Sequence, residues 1–466
     1  MGGNWQKFRL GDITEWTSGG TPSKSKEDYW GGNIPWISAT SMDGNRYRDS
    51  DLKITPLGLE NGSRLAPKDS ILILVRGSIL HQKIRVGIAE CNVAFNQDVK
   101  ALRVKNNIIE PWFLLLWFMA KKQELLEIVE YTGIGAGKLD SKILQDFIVD
   151  IPPKEERARI LTFAKALDDK IELNRQMNAT LEGIAQALFK SWFVDFDPVI
   201  DNALAAGNPI PEPFQARAAA RQALGDKRKL LPPEIQKLFG DRFVFNEDLG
   251  WIPEGWEAVK LSDLATKISK GTTPRKSDIP ANETFSNVPF IKVKDITDDG
   301  QILFDKLSRI PRSVHEGVLK RSILNGGDIL FSIAGTIGRC TILPEELSDA
   351  NTNQAVAFVR PKSEIMAYLI LQFLKSKTIQ EIVESRLVQA VQANFSLTEL
   401  GGLTLTLPND KILKCWDQIT RPKLKRMDLL AVENRGLTLL RDTLLPKLLS
   451  GQIRIPDAEA LVAEAI

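Results

Sequence analysis

Hydrophobic positions along this chain follow one rhythm twice. Short apolar runs with the marks of buried strands, ILILVRGSI at 71–79 and DILFSIAGTIG at 328–338, each lead into a glycine turn. Each is followed by an amphipathic helical pattern, at about 111–130 and about 363–384. After Pro152, and again after Pro408, the spacing changes to alternating fours and threes. Ile160, Ala164, Leu167, Ile171, Asn174, Asn178, Leu181, Ala185, Leu188 and Trp192 make a heptad seam. Adding 256 gives Trp416, Thr420, Lys423, Met427, Leu430, Asn434, Leu437, Arg441, Leu444 and Leu448, a seam good in its middle and polar at some positions. Asn178 and Asn434 occupy equivalent places, where a polar core residue fixes register at some cost in stability. Pro422 is expected to start or kink the second helix, and Pro446 to bend its last turn.

The duplication extends to motifs kept in the same order. WQKFRLGDI at 5–13 matches WEAVKLSDL at 256–264, SGGTPSKS at 18–25 matches SKGTTPRKS at 269–277, and NIPWIS at 33–38 matches NVPFIK at 287–292. Asn96-Gln97 before VKALRV matches Asn353-Gln354 before VAFVRP, which fits shared scaffold chemistry. The chain therefore divides into a globule at 1–150, a long helix at 151–197, a linker with a short helix at 198–250, a second globule at 251–407, a second long helix at 408–451 and a tail at 452–466.

A helix of about 40 residues is roughly 60 Å long, and neither seam can be buried alone. The two helices are expected to pair antiparallel, as a rigid spacer between two similar readers. Such a molecule suits a ligand that repeats along a line, and duplex DNA returns the same face about every 34 Å. Because the globules differ in sequence, the two half-sites should differ as well.

Composition narrows the classes. In 466 residues, 43% hydrophobic and 26% charged leave ample apolar surface for several cores and no bias toward disorder. The net charge of +2 argues against a chain that grips DNA unaided, since phosphate neutralisation dominates such affinity. Cys91, Cys340 and Cys415 lie far apart and the histidines are only His81 and His315, so no zinc site is expected; the cysteines read as small buried hydrophobes. The N-terminus lacks the apolar run of a secretory signal. The apolar block at 111–120 is half of what a bilayer needs and runs into Lys121 and Lys122, so it reads as a buried helix of a cytoplasmic protein.

No catalytic constellation emerges. The Pro-Pro pairs at 152–153 and 232–233 lack the flanking residues that adenine methylation uses to hold a flipped base. The run from Gly133 to Lys138 fails phosphate-loop spacing, because Thr132 and Leu139 stand where Gly and Ser or Thr are needed; it reads as a turn that approaches DNA through Lys138. Asp168-Asp169 reads as a solvated helix face. Catalytic, cofactor and metal residues are thus expected to be absent from this chain.

For DNA contact the candidates are loops in which glycine permits close approach and Ser or Thr binds phosphate. Gly19, Gly20, Thr21, Ser23 and Lys24 form one such loop, and Gly271, Thr272, Thr273, Arg275 and Lys276 its counterpart. Candidate base readers are Arg46, Arg48, Arg76 and Lys83 in the first globule, and Lys292, Lys294 and Arg339 in the second. Ordinary turns and solvated surface charge are the competing explanations for each.

The run NATLEGIAQALFKSWFVDFDP at 178–198 resembles the first conserved helix of Type I restriction-modification specificity subunits, and LRDTLLPKLLSGQIRI at 440–455 resembles the second. GWIPEGW, the GGTPSKS loop, and TGIGAGKLD ahead of a strand ending in Ile-Pro-Pro are also similar to features of that family, whereas LPNDKILKCW at 407–416 departs from its usual helix opening. The resemblance implies an α+β fold: two pseudo-symmetric mixed α/β target-recognition domains joined by two long antiparallel coiled-coil helices. It implies a non-catalytic subunit that reads a bipartite asymmetric site in double-stranded DNA. Two adenine methyltransferase subunits holding S-adenosylmethionine would pack on the helices, and restriction/translocase subunits using ATP and Mg would join them. The competing class is a coiled-coil scaffold with two binding globules and no nucleic acid, which the near-neutral charge favours.

Overall fold

A computed structural model describes residues 5–131, 135–279, 287–389 and 394–465. The chain separates into two units, Met1–Met177 with Leu429–Ile466, and Asn178–Asp428. The division cuts both long helices rather than falling at their ends, so each unit contains a globule and a part of each helix.

In the first unit a five-stranded sheet has the order Thr14–Ser18, Val99–Val104, Ile71–Leu74, Val86–Ala89, Arg46–Tyr47. Ile71–Leu74 pairs antiparallel on both sides, and all four of its residues are buried, which is why this strand reads as an unbroken apolar run. Helix Pro111–Ala120 packs on Val86–Ala89, with every residue from Phe113 through Met119 buried. It ends at Lys121, and a separate helix Lys122–Glu127 follows, so the single helical pattern at 111–130 is broken in two. A second, four-stranded sheet has the order Lys53–Ile54, Trp30–Ile37, Val93–Phe95, Arg64–Ala66.

The second unit repeats this plan. Its sheets run Ala265–Lys270, Val356–Pro361, Ile329–Ser332, Cys340–Ile342, and Ser308–Ile310, Val288–Ile291, Asn351–Thr352. Closing strand pairs recur too: Gln6–Arg9 with Ile148–Ile151, and Glu257–Lys260 with Thr404–Leu407, both antiparallel. Arg46–Tyr47, paired in parallel with Val86–Ala89, has no counterpart among the described strands of the second unit.

The long helices are Lys154–Phe189 and Asp410–Leu449. Within the first unit they pair antiparallel, because contacts that rise along one helix fall along the other: Asp168 meets Arg441, and Asn174 meets Asn434. Leu167 and Ile171 pack with Leu437 in this seam. Asn174, not Asn178, is therefore the cross-helix partner of Asn434, with Nδ2 donating to Oδ1 at 3.0 Å; the repeat equates positions in sequence, while antiparallel packing juxtaposes others. Asn178 lies in the second unit, where it donates to the Met427 carbonyl at 3.4 Å.

Pro422 neither starts nor divides the second helix, which opens at Asp410 with the Asn409 side chain accepting from Lys411 N and Ile412 N at 3.1 and 3.2 Å. Pro422 stands on its exposed face. The 452–466 segment contains helix Ile455–Ala465, whose Ala458 is buried against Leu444 and Leu448.

The segment at 198–250 is more ordered than a linker. Helices Asp197–Ala206 and Glu212–Ala223 are joined by Arg217 Nε to Asp197 and Arg221 Nε to Asp201, both at 2.8 Å. They are seated by an aromatic cluster that explains the SWFVDFDP run. A π-helical turn, Lys190–Val194, buries both Trp192 and Phe193. Phe196, in the left-handed region at φ 53°, then reverses the chain so that its ring meets Trp256 and Phe214 edge-on at 5.6 Å.

Cys340 is buried, and that burial pushes its thiol up to about 12. Cys91 and Cys415 are only partly buried, which corrects the expectation that all three are core residues. Among the described residues no helix is long and apolar enough to cross a membrane, and no cluster of side chains could hold a metal ion.

Candidate nucleic-acid interface

The two Gly-Thr-Pro loops are built alike. Thr21 Oγ1 donates to Gln97 Oε1 at 2.7 Å, and Thr273 Oγ1 donates to Gln354 Oε1 at 2.6 Å. The neighbouring asparagines close their own turns, Asn96 Oδ1 accepting from Asp98 N at 3.1 Å and Asn353 Oδ1 from Ala355 N at 3.2 Å. This gives the recurring Asn-Gln pair its physical role: Asn shapes the turn and Gln holds the facing loop. Gly19 and Gly271 are glycines for lack of space, since a Cβ would overlap the carbonyls of Phe95 and Asn96 in one unit and of Thr352 in the other.

Gly20 N is tied to the Phe95 carbonyl at 2.9 Å and its own carbonyl accepts from Trp36 Nε1 at 3.1 Å. Beyond these anchors the loops turn outward: Ser23, Lys24, Thr272, Thr273, Arg275 and Lys276 are exposed. Arg275 N donates to Asp278 Oδ2 at 2.7 Å, which fixes the backbone that carries this exposed arginine. In the first unit a groove of about 460 Å³ lies beside the loop, lined by Gly19, Gly20, Glu60, Gly62, Ser63 and Arg64 among others.

A second cluster lies on a three-stranded ribbon of Glu130–Tyr131, Gly137–Lys138 and Arg76–Gly77. Arg76 is exposed and sits in register with Lys138. Lys138 lies between Asp140 at 3.2 Å and Glu130 at 3.5 Å, and the bond to Asp140 raises its pKa. Lys83, partly buried, follows the turn Ser78–His81. Gly133, at the start of the turn predicted to approach DNA, lies outside the described residues. The second unit keeps the ribbon's anchors: Leu139 N to the Val75 carbonyl and Phe395 N to the Ile333 carbonyl are both 2.9 Å. Ala334, which bridges to Asn394, stands where the first unit has Arg76.

Apart from Lys294, the other candidate readers are engaged within the protein. Arg46, its side chain 9% exposed, donates to Asp168 through Nε and Nη2 at 3.0 and 2.7 Å and to Asp169 at 2.6 Å, and lies 4.6 Å from the Trp112 ring centre. Burial alone would lower its pKa, but the bonds to Asp169 and Asp168 prevail and raise it. Asp168 is 1% exposed and also accepts from Asn45 and Arg441, so the reading of Asp168-Asp169 as a solvated face is corrected: the first aspartate is an internal ion-pair hub. The sequence hides this because the partners come from 123 and 273 residues away.

Arg48 is held by Glu90 at 2.9 Å and Glu172 at 2.8 Å. In the second unit Arg339 binds Asp298 at 2.7 Å and the Ile296 carbonyl at 2.9 Å, and Lys292 reaches Ser308 Oγ at 2.9 Å. Lys294 is exposed beside them. Sequence reasoning passed over Tyr131 and His81, whose rings stack 4.2 Å apart; an aromatic at a ribbon's open edge carries no periodic signal.

The family model described as the Type I restriction modification DNA specificity domain matches residues 2–183 and again 253–431, one copy for each globule with its adjoining long-helix residues. The HindI specificity subunit of Haemophilus influenzae is 26% identical over 97% of this chain and 100% of its own length. The MjaIX specificity subunit of Methanocaldococcus jannaschii is 24% identical over 97% and 94%. The crystal structure of a Type I S subunit from M. genitalium aligns over 96% of both chains at 14% identity, with a TM-score of 0.45. Two family-matched copies covering most of the sequence place this chain in the Type I restriction-modification DNA specificity family.

Proposed function

We propose that this chain reads a bipartite, asymmetric site in double-stranded DNA, one half-site per globule, and that it does so without catalysing a reaction itself. The single observation that carries the reading is the loop built twice, Thr21 on Gln97 and Thr273 on Gln354, each with a glycine packed against carbonyls and exposed Ser, Thr, Lys or Arg beyond it. The anchors are common to both copies, whereas the outward residues differ, Ser23 standing against Arg275. That combination suits common phosphate-positioning chemistry with different base readout.

Among the candidates, Ser23, Lys24, Arg76, Thr272, Thr273, Arg275, Lys276 and Lys294 are those whose exposure suits direct contact. Arg46, Arg48, Arg339 and Lys292 act through the scaffold that carries them. Because the chain's charge is nearly balanced, grip on DNA is completed by partners: two methyltransferase subunits holding S-adenosylmethionine, and restriction/translocase subunits using ATP and Mg.

Mapping methylated adenines by single-molecule sequencing in cells with and without the gene tests this. The expected result is one bipartite motif that vanishes with the gene, and an unchanged methylome would overturn the proposal. Exchanging residues 1–150 should alter one half-site and leave the other intact.

A further inference from the structure

Tyr131 is 79% exposed, yet its ring is not free to swing: it stacks on His81 with centroids 4.2 Å apart and planes 12° from parallel. His81 is in turn fixed by Nε2 lying 3.3 Å from the Gly135 carbonyl, and Tyr131 by strand pairing with Gly137. A large ring held rigid in water, with one face covered and the rest open, serves no core. On the same ribbon Arg76 is exposed and makes no ion pair among the described residues, while Lys138 beside it is neutralised by Asp140 and Glu130. One braced aromatic and one uncommitted guanidinium, on the two outer strands of one narrow ribbon, offer separate contacts for a base and for a phosphate.

We propose that Tyr131, braced by His81, is an aromatic DNA contact of the first globule, packing against a nucleobase at an opened base step while Arg76, from the ribbon's other outer strand, takes a phosphate of the same half-site. The inference rests on the DNA-reading function proposed above. Ala334 at the place of Arg76 makes the contact a property of one half-site only.

The test uses the full chain assembled with its methyltransferase subunits and a cognate duplex carrying 2-aminopurine at successive positions of the first half-site. The unsubstituted complex should show a fluorescence rise at one position. Tyr131→Ala should abolish that rise and weaken binding about tenfold with an unchanged salt slope, Tyr131→Phe should retain both, and Arg76→Ala should lower the slope by about one. Wild-type affinity and signal in Tyr131→Ala would overturn the inference, as would a loss matched by a fall in melting temperature. Absence of specific binding by the unsubstituted complex would instead overturn the DNA-reading proposal itself.

Discussion

Arg441 Nη1 donates to Asp168 Oδ1 at 2.9 Å between the two long helices, with the side chains 9% and 1% exposed. Under the 256-residue repeat these positions correspond to Ala185 and Leu424, which are buried and apolar in the other unit. One seam thus carries a buried ion pair where its counterpart carries packed hydrocarbon. A helix segment placed in the wrong pairing would leave a charge unpartnered in an apolar seam, so the difference selects the native pairing.

Asp168 accepts from Asn45, Arg46 and Arg441, so removing it takes the shared buried acceptor from three donors and leaves Arg46 to Asp169 and Arg441 to Asp442. Asp168→Ala should destabilise the first unit by about 3–5 kcal/mol. Arg441→Ala leaves Asp168 two other donors and should cost less, about 1–3 kcal/mol. Urea unfolding of the full chain checks the order, and equal losses would show that Asp168 is not the hub.

Gly19→Ala and Gly271→Ala force a methyl group into backbone carbonyls and should each cost roughly 1–3 kcal/mol. Thr21→Val and Thr273→Val touch only one exposed hydrogen bond and should change stability by less than about 1 kcal/mol. The threonine variants should nevertheless weaken cognate binding. A pair of valine variants that bind normally would show that the Thr–Gln anchor is not needed to present the loop.

The acid side of the stability profile should depend on Asp197. Burial alone would raise its pKa, but the Arg217 and Ser191 hydrogen bonds and the nearby Arg221 charge outweigh burial and hold it below the usual carboxylate range. A folded-state value below the unfolded one stabilises above about pH 4 and is lost as pH falls through the folded value. Thermal unfolding of Asp197→Asn should therefore lag behind the unsubstituted chain at pH 7 and converge with it toward pH 2. A gap that stays constant across that range would contradict the assignment.

Thiol labelling should separate the cysteines. Cys340 is buried with its thiol pushed up to about 12, so it should react only on unfolding. Cys91 and Cys415 are partly exposed and should label slowly in the native chain, because burial raises both thiols as well. Mass spectrometry after timed alkylation distinguishes them, and early modification of Cys340 would place it at a mobile edge.

The sequence by itself determined what is local and periodic: two copies of one plan, the buried strand at Ile71–Leu74, the two long helices and the Gly-Thr-Pro loops. These follow from spacing and from turn chemistry that neighbouring residues impose on one another. Tertiary structure alone decided which Asn faces Asn434, that Asp168 is a buried hub, that Arg46 and Arg339 are engaged inside the protein, and that Tyr131 stacks on His81. Each of these depends on groups brought together from distant parts of the chain. A charged or aromatic residue is spelled the same whether it meets water, a buried partner or a ligand, and only packing supplies the difference.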